Sequence, residues 1–427
     1  MANAIKDIQN TIIIGGGPAA VLAALRLHRS NSISPVLYEI RPKPTTLGGA
    51  IGIPANGLRL LNQLGLYEEC VAKSALTSKL VLHALNGCVM GEMDMADWSE
   101  KQTGFGYLRI RRTDLMDVLL AAAERENIPI HFGKVLTAIE EKDGRVLVQF
   151  ADGTTDSADF LLGCDGIHSS VRKLYVDPDV TPEYTGIANM FSLIPAGHDL
   201  TTASESGPIA NLNATLTSDG LFAISPTTPA SDLLYWFFSR EVPLPASDHG
   251  RDGWEATGKT EVDRCKTTLL QLLGEEKSEW VDMLRQLVQR TETVKFYPIY
   301  KLPTGRPWFR GRCLIIGDAA HAMPPHASQG VSMALEDVFL LSTLLKSEHL
   351  ALDQGLAAYV TKRKLRTDAM LKKAERNGTV RKQTSPWRVR ANELAISGGL
   401  WLYKTTGLER LGIGQRDLAY DVETEKF

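Results

Sequence analysis

A glycine-rich turn near the start of the chain has the spacing of a site for a diphosphate. Gly15, Gly17 and Ala20 stand between an apolar strand and an apolar helix. Glycine suits a sharp strand-to-helix turn and lets a diphosphate approach the backbone, while a small third residue lets helix and strand pack. The free N–H groups of the helix would face the anion. Glu39, 22 residues after Gly17, could accept hydrogen bonds from a ribose diol. These features predict a dinucleotide site and leave the dinucleotide open.

The elements around this turn predict a parallel sheet. Residues 11–15 and 35–40 have the pattern of strands, and residues 19–29 between them have that of a helix, so the three form a βαβ unit. Apolar runs at 159–163 and 312–316 predict two more strands of this kind.

From about residue 176 to residue 300 the pattern changes to short β-rich runs bounded by Pro, Gly and Ser, which predicts an inserted antiparallel sheet. A polar linker at 245–259 and a helix at 261–273 follow these runs. The basic tail after residue 355 is predicted to be helical, with a break at Pro386.

Composition excludes several classes of protein. The 427 residues carry a net charge of -3, which gives no reason to expect nucleic acid or an anionic membrane as partner. The five cysteines are widely spaced and form no CxxC, so we expect neither a disulfide framework nor a metal site. No apolar run approaches the ~18 residues of a membrane span, and the N-terminus lacks a signal pattern. These observations predict a cytoplasmic protein without a transmembrane segment.

Four ordered segments carry a resemblance to a known family: LLGCDGIHSSVR, RCLIIGDAAHAMPPHASQG, GGAIGIPANGLRLLNQLGL and IRRTDL. Together they resemble the class A flavoprotein monooxygenases, single-component FAD enzymes with the p-hydroxybenzoate hydroxylase fold. The resemblance covers residues 10–70, 107–175 and 310–375 approximately, and it covers the middle sheet poorly.

The resemblance implies an α/β fold with a Rossmann-like FAD-binding domain containing a parallel sheet, an inserted, mainly antiparallel substrate domain, and C-terminal helices. The expected bounds are 1–75, 100–175 and 285–375 for the FAD-binding domain, 76–99 and 176–284 for the substrate domain, and 376–427 for the C-terminal segment.

The resemblance also assigns cofactor roles to individual positions. Beyond the glycine turn and Glu39, these are Arg41 and Arg112 at the FAD phosphate or ribose, Gly49 and Ala50 near the ribose or the flavin entry, Asp165 in a motif shared with the nicotinamide nucleotide, Asp318 at the ribityl hydroxyls, Pro325 at the reactive edge, and Gly330 and Val331 at the pyrimidine ring.

Three of these positions have a structural alternative. Asp318 follows an apolar strand, where open α/β sheets bind ligands, but it could instead cap the next helix. Asp165 could be a turn residue, and Arg112 a solvated charge in the first turn of a helix. Ser328 stands where the family usually has glycine, which leaves the local loop geometry open.

The chemistry that the resemblance implies is oxygenation. A nicotinamide nucleotide, NADPH rather than NADH by preference, would reduce the FAD. The reduced flavin would add O2 at carbon 4a, and the hydroperoxide would give one oxygen atom to an aromatic or polycyclic molecule by hydroxylation or epoxidation. The alternatives are a flavin-dependent halogenase or reductase of the same superfamily, or a non-enzymatic FAD-fold binding protein. We expect a monomer or homodimer.

The substrate is expected between the middle sheet and the flavin. Alternation in LLYWFFSR places Tyr235 and Phe237 on one face, which would line an apolar pocket or form ordinary sheet core. Pro325 and His326 are the candidates for residues beside the reacting atoms, whereas His321 is expected to make a structural hydrogen bond. No arginine occurs at 186–196, where some relatives place one that contacts substrate.

Overall fold

The structure, a computed structural model, describes residues 5–44, 48–197, 209–243, 254–256, 259–275, 277–347 and 349–427. The strands of the described residues, numbered in chain order, are β1 Asn10–Ile14, β2 Ser34–Glu39, β3 Ala50–Pro54, β4 Ser74–Leu76, β5 Lys79–His83, β6 Val89–Asp94, β7 Tyr107–Arg111, β8 Ile130–Phe132, β9 Leu136–Lys142, β10 Arg145–Phe150, β11 Thr155–Ala158, β12 Phe160–Gly163, β13 Glu183–Pro195, β14 Leu212–Thr217, β15 Gly220–Pro226, β16 Leu233–Glu241, β17 Trp254–Ala256, β18 Val294–Lys301, β19 Phe309–Arg310 and β20 Cys313–Ile315.

The α-helices of the same residues are α1 Pro18–Asn31, α2 Ala55–Gln63, α3 Tyr67–Val71, α4 Asp97–Thr103, α5 Arg112–Arg125, α6 Lys259–Leu273, α7 Glu279–Arg290, α8 Asp318–His321, α9 Gly330–Leu344, α10 Leu352–Gly378 and α11 Pro386–Thr405. Proline at the first position of α11 fits because a helix leaves that N–H unbonded. The break predicted at Pro386 is therefore the start of a separate helix.

A six-stranded sheet in the order β19-β20-β12-β1-β2-β8 carries the N-terminal βαβ unit. β1 pairs in parallel with β2 and β12, β12 pairs in parallel with β20, and β2 with β8; only β19 is antiparallel. Residues 12–14 and 160–162 are buried, as expected of parallel strands covered by helices on both faces. The predicted parallel sheet is confirmed.

A second sheet of eight strands has the order β17-β18-β13-β16-β15-β14-β5-β6. Its pairs are antiparallel apart from β14 with β5. The predicted, mainly antiparallel sheet is therefore present. β18 belongs to it, although the expected domain bounds place residues 285–375 with the FAD-binding domain. The division into domains stays a prediction.

The two faces of this sheet have different neighbours. Helices α6 and α7 cover one face, where Met190, Trp236 and Phe238 join their buried core. Because side chains alternate along a strand, Phe191 and Phe237 occupy the opposite face. We call the space in front of that second face the cleft.

The remaining parts complete the predicted fold class. Two further sheets of three strands have the orders β3-β7-β4 and β11-β10-β9. The linker predicted at 245–259 lies largely outside the described residues. Among the helices that the structure describes, none combines the length and the apolar character that a membrane span requires.

Candidate active site

The glycine turn follows β1 and is shaped by a close approach of two chain segments. Gly15 has a φ of +121°, a backbone conformation that side chains rarely adopt. A Cβ atom at this position would overlap the carbonyl oxygen of Cys164, the residue directly after β12. Glycine is therefore required here by both conformation and contact.

The N-terminus of α1 lies open beside this turn. Gly17 is its N-cap residue, no side chain caps the helix, and a Cβ atom on Gly17 would meet no protein atom within 4 Å. Ala20 is fully buried, which fits the small residue that helix–strand packing needs. The space beside Gly17 that is clear of protein atoms, together with the free N–H groups of the helix, suits a phosphate.

Glu39 ends β2 and lies against the glycine turn. Its side chain is buried, its Oε1 accepts a hydrogen bond of 2.9 Å from the backbone N–H of Arg41, and a Cβ on Gly16 would lie 2.8 Å from its Oε2. The carboxylate is thus fixed next to the turn, where the sequence predicted a partner for a ribose.

The carboxyl ends of the parallel strands gather the predicted residues at one sheet edge. Ile14 is in register with Gly163 and Tyr38, and Gly163 is in register with Ile315. The segments after these positions contain the glycine turn, Glu39, Asp165 and Asp318. We call this edge the groove. Open α/β sheets bind ligands at such an edge.

Asp318 lies at the groove, in the turn that follows β20. Gly317, with a φ of +58°, is the N-cap residue of α8, and Asp318 is the first residue of that helix; no side chain caps α8. The Asp318 side chain is accessible from the groove. Desolvation by the surrounding protein atoms raises its pKa, against the opposing effects of His321 and Arg112.

Arg112 begins α5 and is packed against the glycine pair that precedes β3. Its N–H donates to the carbonyl oxygen of Gly49 at 2.9 Å, and a Cβ on Gly48 would lie 2.5 Å from its own Cβ. The neighbouring Arg111 instead forms a bidentate pair with Asp114, at 2.5 and 2.7 Å. The positive charge of Arg112 acts on Asp318, whose pKa it lowers. Arg111 is instead paired with Asp114 in the first turn of α5.

Asp165 has one engaged and one free oxygen. Its Oδ2 accepts hydrogen bonds from the backbone N–H groups of Ser170 at 2.6 Å and Val171 at 3.1 Å, as a turn residue would. Its Oδ1 is buried without a partner among the described residues, and burial raises the pKa of the side chain. The geometry is compatible with both roles considered for this residue.

A buried polar network that the sequence analysis did not find lies beneath the turn of Asp318. Asp337 Oδ2 accepts from the N–H of Gly317 at 2.8 Å and lies 2.6 Å from Nε2 of His321. Arg363 contacts Asp337 Oδ1 at 2.7 Å and Glu336 Oε2 at 2.8 Å. Burial alone would raise the pKa of Asp337, but His321 and Arg363 lower it to about 2. His321 thus makes the structural hydrogen bond expected of it.

Unpartnered polar atoms surround the start of α9. Asn56 Oδ1, Gln329 Nε2 and Ser332 Oγ are buried and have no hydrogen-bond partner among the described residues. A Cβ on Gly330, the first residue of α9, would meet no protein atom within 4 Å, and Val331 is partly buried against the core. Buried polar groups are rarely left unsatisfied, so this region fits a ligand that carries donors and acceptors, such as a flavin pyrimidine ring.

The loop before α9 carries Pro325 and His326. Pro325 is exposed, whereas Nε2 of His326 is buried without a partner among the described residues. Burial, assisted by the charge of Arg381, lowers the pKa of His326 to about 3, so its imidazole is neutral at physiological pH. Ser328 in the same loop has a φ of +52°, in the left-handed region that favours glycine.

Tyr235 joins the eight-stranded sheet to the glycine pair. A Cβ on Gly49 would overlap its ring, and its ring centroid lies 5.7 Å from that of Phe237. A pocket lined in part by Gly48 and Phe191 opens between the same two parts of the chain. Tyr235 and Phe237 thus lie at the cleft, although the side chain of Tyr235 is mostly buried.

In the described part of the chain, no group of three or more His, Cys, Asp or Glu side chains is arranged to hold a metal ion. The groove instead offers helix N–H groups, carboxylates and unpartnered amide atoms. That donor set fits a nucleotide that carries a diphosphate, sugar hydroxyls and a heterocycle.

Comparison with known proteins defines the class. A family model described as FAD binding domain matches residues 9–374, and the chain belongs to this family. It is an FAD-binding oxidoreductase of the class A flavoprotein monooxygenases, as the sequence motifs indicated.

Two curated relatives support this class. 6-Hydroxynicotinate 3-monooxygenase of Pseudomonas fluorescens is 27% identical over 337 residues, which cover 78% of this chain and 82% of the relative. 3-Amino-4-hydroxybenzoate 2-monooxygenase of Streptomyces cremeus is 26% identical over 372 residues, which cover 87% of each chain.

Solved structures share the fold. Klebsiella pneumoniae HpxO complexed with FAD and uric acid has a TM-score of 0.78 at 22% identity, with coverage of 96% of this chain and 97% of that chain. A salicylate hydroxylase substrate complex has a TM-score of 0.74 at 21% identity, with coverage of 98% and 97%. The predicted fold class is confirmed.

Proposed function

We propose that the protein uses NAD(P)H and O2 to transfer one oxygen atom to an aromatic or polycyclic small molecule, by hydroxylation of a ring carbon or epoxidation of an electron-rich double bond. When bound and reduced, FAD would provide the chemistry that activates O2, and the second oxygen atom would leave as water. The observation that carries this proposal is that one sheet edge collects an open helix N-terminus, Glu39 and Asp318.

The residues of the groove have separate tasks in this proposal. Gly15, Gly17 and the N-terminus of α1 bind the diphosphate, and Glu39 accepts hydrogen bonds from a ribose. Arg112 adds positive charge at the phosphate or ribose region, as does Arg41. Asp318 accepts hydrogen bonds from the ribityl hydroxyls.

The start of α9 orients the isoalloxazine. Backbone N–H groups at Gly330 and Val331 and the positive end of this fifteen-residue helix favour negative charge on a reduced ring. The atoms of Asn56, Gln329 and Ser332 that are buried without a partner would hydrogen-bond to the edge of the ring. Gly49 and Ala50 would lie near the ribose or the flavin entry, and Asp165 would serve FAD or the nicotinamide nucleotide.

The substrate occupies the cleft. Tyr235 and Phe237 supply apolar contacts, and the cleft excludes water from the reacting atoms. His326 is neutral and has an unpartnered ring nitrogen, so it can accept a hydrogen bond from a substrate hydroxyl. Pro325 shapes the approach to the flavin edge. The two curated relatives reported above are named for hydroxylated aromatic acids, which supports an aromatic substrate.

A substrate screen tests this function. The FAD-loaded protein is mixed with NADPH or NADH and a panel of aromatic and polycyclic compounds, and nucleotide oxidation is followed together with mass spectrometry of the products. We expect at least one compound to accelerate NADPH oxidation and to gain one oxygen atom. Halide incorporation, or reduction of a double bond without oxygen gain, would support the halogenase or reductase alternative instead.

Two further expectations belong to this proposal. The chain is expected to be a monomer or homodimer in the cytoplasm, which light scattering and cell fractionation would measure. The FAD-binding part and the sheet-bearing substrate part are expected to act as two domains, with their contact at the cleft.

A further inference from the structure

One face of helix α11 contacts the eight-stranded sheet. Ile396 packs against the core cluster that contains Met90, and a Cβ on Gly91 would lie 2.8 Å from Cδ1 of Leu400. The hydroxyl of Ser397 donates a hydrogen bond of 2.9 Å to the carbonyl oxygen of Met90. Met90 and Gly91 belong to β6, so this face attaches the helix to the edge strand of the sheet.

The opposite face of α11 is largely apolar and exposed. Six exposed residues follow one another along it at alternating spacings of four and three: Trp387, Ala391, Leu394, Gly398, Trp401 and Thr405. We call this row the outer face. The exposed fraction is 68% for each tryptophan and 76% for Leu394. Because residues two positions apart on a helix point about 200° apart, Leu394 lies opposite Ile396, and the outer face lies opposite β6.

The apolar surface at this place is as large as an interface. Leu402, Leu411 and Ile413 are also exposed, and the hydroxyl of Tyr403 donates to the carbonyl oxygen of Ile413 at 3.2 Å, which keeps these residues near the end of the helix. Together with the outer face they expose roughly 800 Å² per chain, the area that each partner contributes to a standard protein–protein interface. Monomeric proteins rarely expose an apolar patch of this size.

Two glycines in α11 have no packing role within the chain. Gly398 and Gly399 lie inside the helix, and a Cβ on either would meet no atom of the described residues within 4 Å. Neither has a positive φ. Glycine is less favourable than alanine in a helix interior, so contacts within the chain do not account for Gly398. A second helix that approached the outer face closely would account for it.

The sequence of the outer face is complementary to its own reverse. When a second α11 runs antiparallel with its centre opposite Ile396, Trp401 of one copy meets Ala391 of the other. Leu394 in turn meets Gly398, and the ends pair a tryptophan with a threonine. Each large side chain thus faces a small residue, as knobs face holes in paired helices. A twofold axis generates this arrangement from one chain, so it closes as a dimer.

An anionic membrane is the other surface to consider, because Arg388, Arg390 and Lys404 border the outer face. Helices that lie on a bilayer present a broad face of bulky apolar residues. Here alanine, glycine and threonine occupy three of the six positions. They offer little apolar area to a bilayer, whereas they supply the holes that a second helix needs. The pattern therefore favours a second copy of the chain.

We propose that the outer face of α11 pairs in antiparallel orientation with the outer face of a second copy of this chain, and that the protein is a homodimer held by this pair of helices. The two tryptophans and Leu394 form its apolar centre, as expected of the residues that dominate interface energies. This inference goes beyond the proposed oxygenation and does not depend on it, because α11 follows residue 374, where the family match ends.

The oligomeric state of the FAD-loaded full chain tests the proposal. Sedimentation equilibrium is measured over a wide range of concentrations, and we expect a dimer. Leu394→Asp should raise the Kd of dimerisation about 30-fold or more, because it places a charge at the centre of the apolar contact. Leu365→Asp is the matched control, because Leu365 in α10 is equally exposed, at 76%, and lies outside the outer face. It should leave the Kd unchanged.

The adjacent glycines supply a second pair of variants, which decides the matter if Leu394→Asp does not fold. Gly398→Leu and Gly399→Leu both replace an exposed helical glycine where a side chain meets no neighbour. Only Gly398 belongs to the outer face. We therefore expect Gly398→Leu to weaken the dimer and Gly399→Leu to leave it intact, while both retain FAD.

Disulfide trapping tests the orientation, in a Cys88→Ser background because the thiol of Cys88 is exposed. Leu394→Cys and Gly398→Cys are carried on separate chains, which are mixed and oxidised. A disulfide requires Cα atoms within about 7 Å, and the antiparallel pairing brings position 394 of one copy to position 398 of the other. The mixture should therefore give several-fold more linked dimer than either variant alone.

The proposal is wrong if the protein is monomeric at every concentration, or if Leu394→Asp and Gly398→Leu dimerise as tightly as the wild type. Linked dimers that form within each cysteine variant but not between them would contradict the antiparallel orientation. Vesicles of phosphatidylserine and phosphatidylcholine test the membrane. Sedimentation with these vesicles that Leu394→Asp abolishes, in a protein that forms no dimer, would assign the outer face to a lipid surface and overturn the proposal.

Discussion

The imidazole of His321 lies 2.6 Å from the carboxylate of Asp337, and the two residues belong to different helices, α8 and α9. The same carboxylate oxygen accepts from the N–H of Gly317. Asp337 thereby holds both ends of the turn that presents Asp318 to the groove. A residue without direct access to the cofactor thus fixes one of the proposed cofactor contacts.

Removing the charge of Asp337 should loosen that turn. Asp337→Asn leaves Arg363 and His321 buried beside a neutral amide, and we expect a loss of about 3 kcal/mol in the free energy of unfolding. Urea denaturation of the FAD-free protein measures the loss. The exposed Asp263→Asn in α6 is the control, and equal stability of the two variants would contradict the role given to Asp337.

Asp318 and Arg112 should each contribute to FAD retention. We expect Asp318→Ala and Arg112→Ala to raise the Kd of FAD about tenfold each, since each change removes a charged partner of the cofactor. Equilibrium dialysis with FAD provides the measurement. Arg111→Ala serves as the matched control, because that arginine pairs with Asp114 instead. Wild-type affinity in both test variants would remove these residues from the site.

Glu39 should act through hydrogen bonds to a ribose. Glu39→Ala is expected to raise the Kd of FAD about tenfold, the effect of one charge-assisted hydrogen bond. Glu39→Gln should have a smaller effect, because the amide oxygen still accepts. An unchanged Kd in Glu39→Ala would show that the carboxylate has only a structural role beside the glycine turn.

Ser328 should be replaceable by glycine with a gain in stability. Its φ of +52° costs an L-residue about 1 kcal/mol or more, a cost that glycine avoids while losing more entropy on folding. We expect Ser328→Gly to raise the free energy of unfolding by about 0.5 kcal/mol, and Ser328→Val to lower it by more than 1 kcal/mol. A destabilised glycine variant would indicate that the hydroxyl itself holds the loop.

His326 should make stability fall in mild acid. Its pKa is about 3 in the folded chain, below the ordinary value of 6.5, so the unfolded chain binds more protons between these values. The contribution of neutral His326 to the free energy of unfolding is therefore fully present above the ordinary pKa of 6.5. It is lost as the pH falls, by about 1 kcal/mol between pH 7 and pH 5.5. Thermal or urea unfolding of His326→Gln should show a shallower dependence; identical slopes in both proteins would contradict this.

Local signals in the sequence were sufficient to predict the parallel sheet and the residues at its groove. The positive φ of Gly15 and the position of Glu39 at the end of β2 follow from neighbouring residues, because strand, turn and helix are contiguous in the chain. Asp318 could be placed in the same way, from an apolar strand that ends in glycine. The strand order of the eight-stranded sheet could not be predicted from local signals, because the parallel pairing of β14 with β5 joins residues about 130 positions apart.

The buried charges were also beyond the reach of local patterns. Arg381 has the surroundings of a basic tail in the sequence, and its burial depends on contacts with His326 and with the hairpin at Ser218. Asp337 occupies an apolar helix without any sign of its partners Gly317 and Arg363. Long-range packing decides whether such a residue is solvated or buried, and pattern analysis along one chain does not contain that information.

The most direct test of the account is the stoichiometry of flavin binding. The purified protein is stripped of small molecules, titrated with FAD, and analysed by absorbance and calorimetry. We predict saturation at one FAD per chain, with loss of affinity in Glu39→Ala and Asp318→Ala but not in Arg111→Ala. A chain that stays colourless at saturating FAD, or that binds equally well in all three variants, would contradict the site described here.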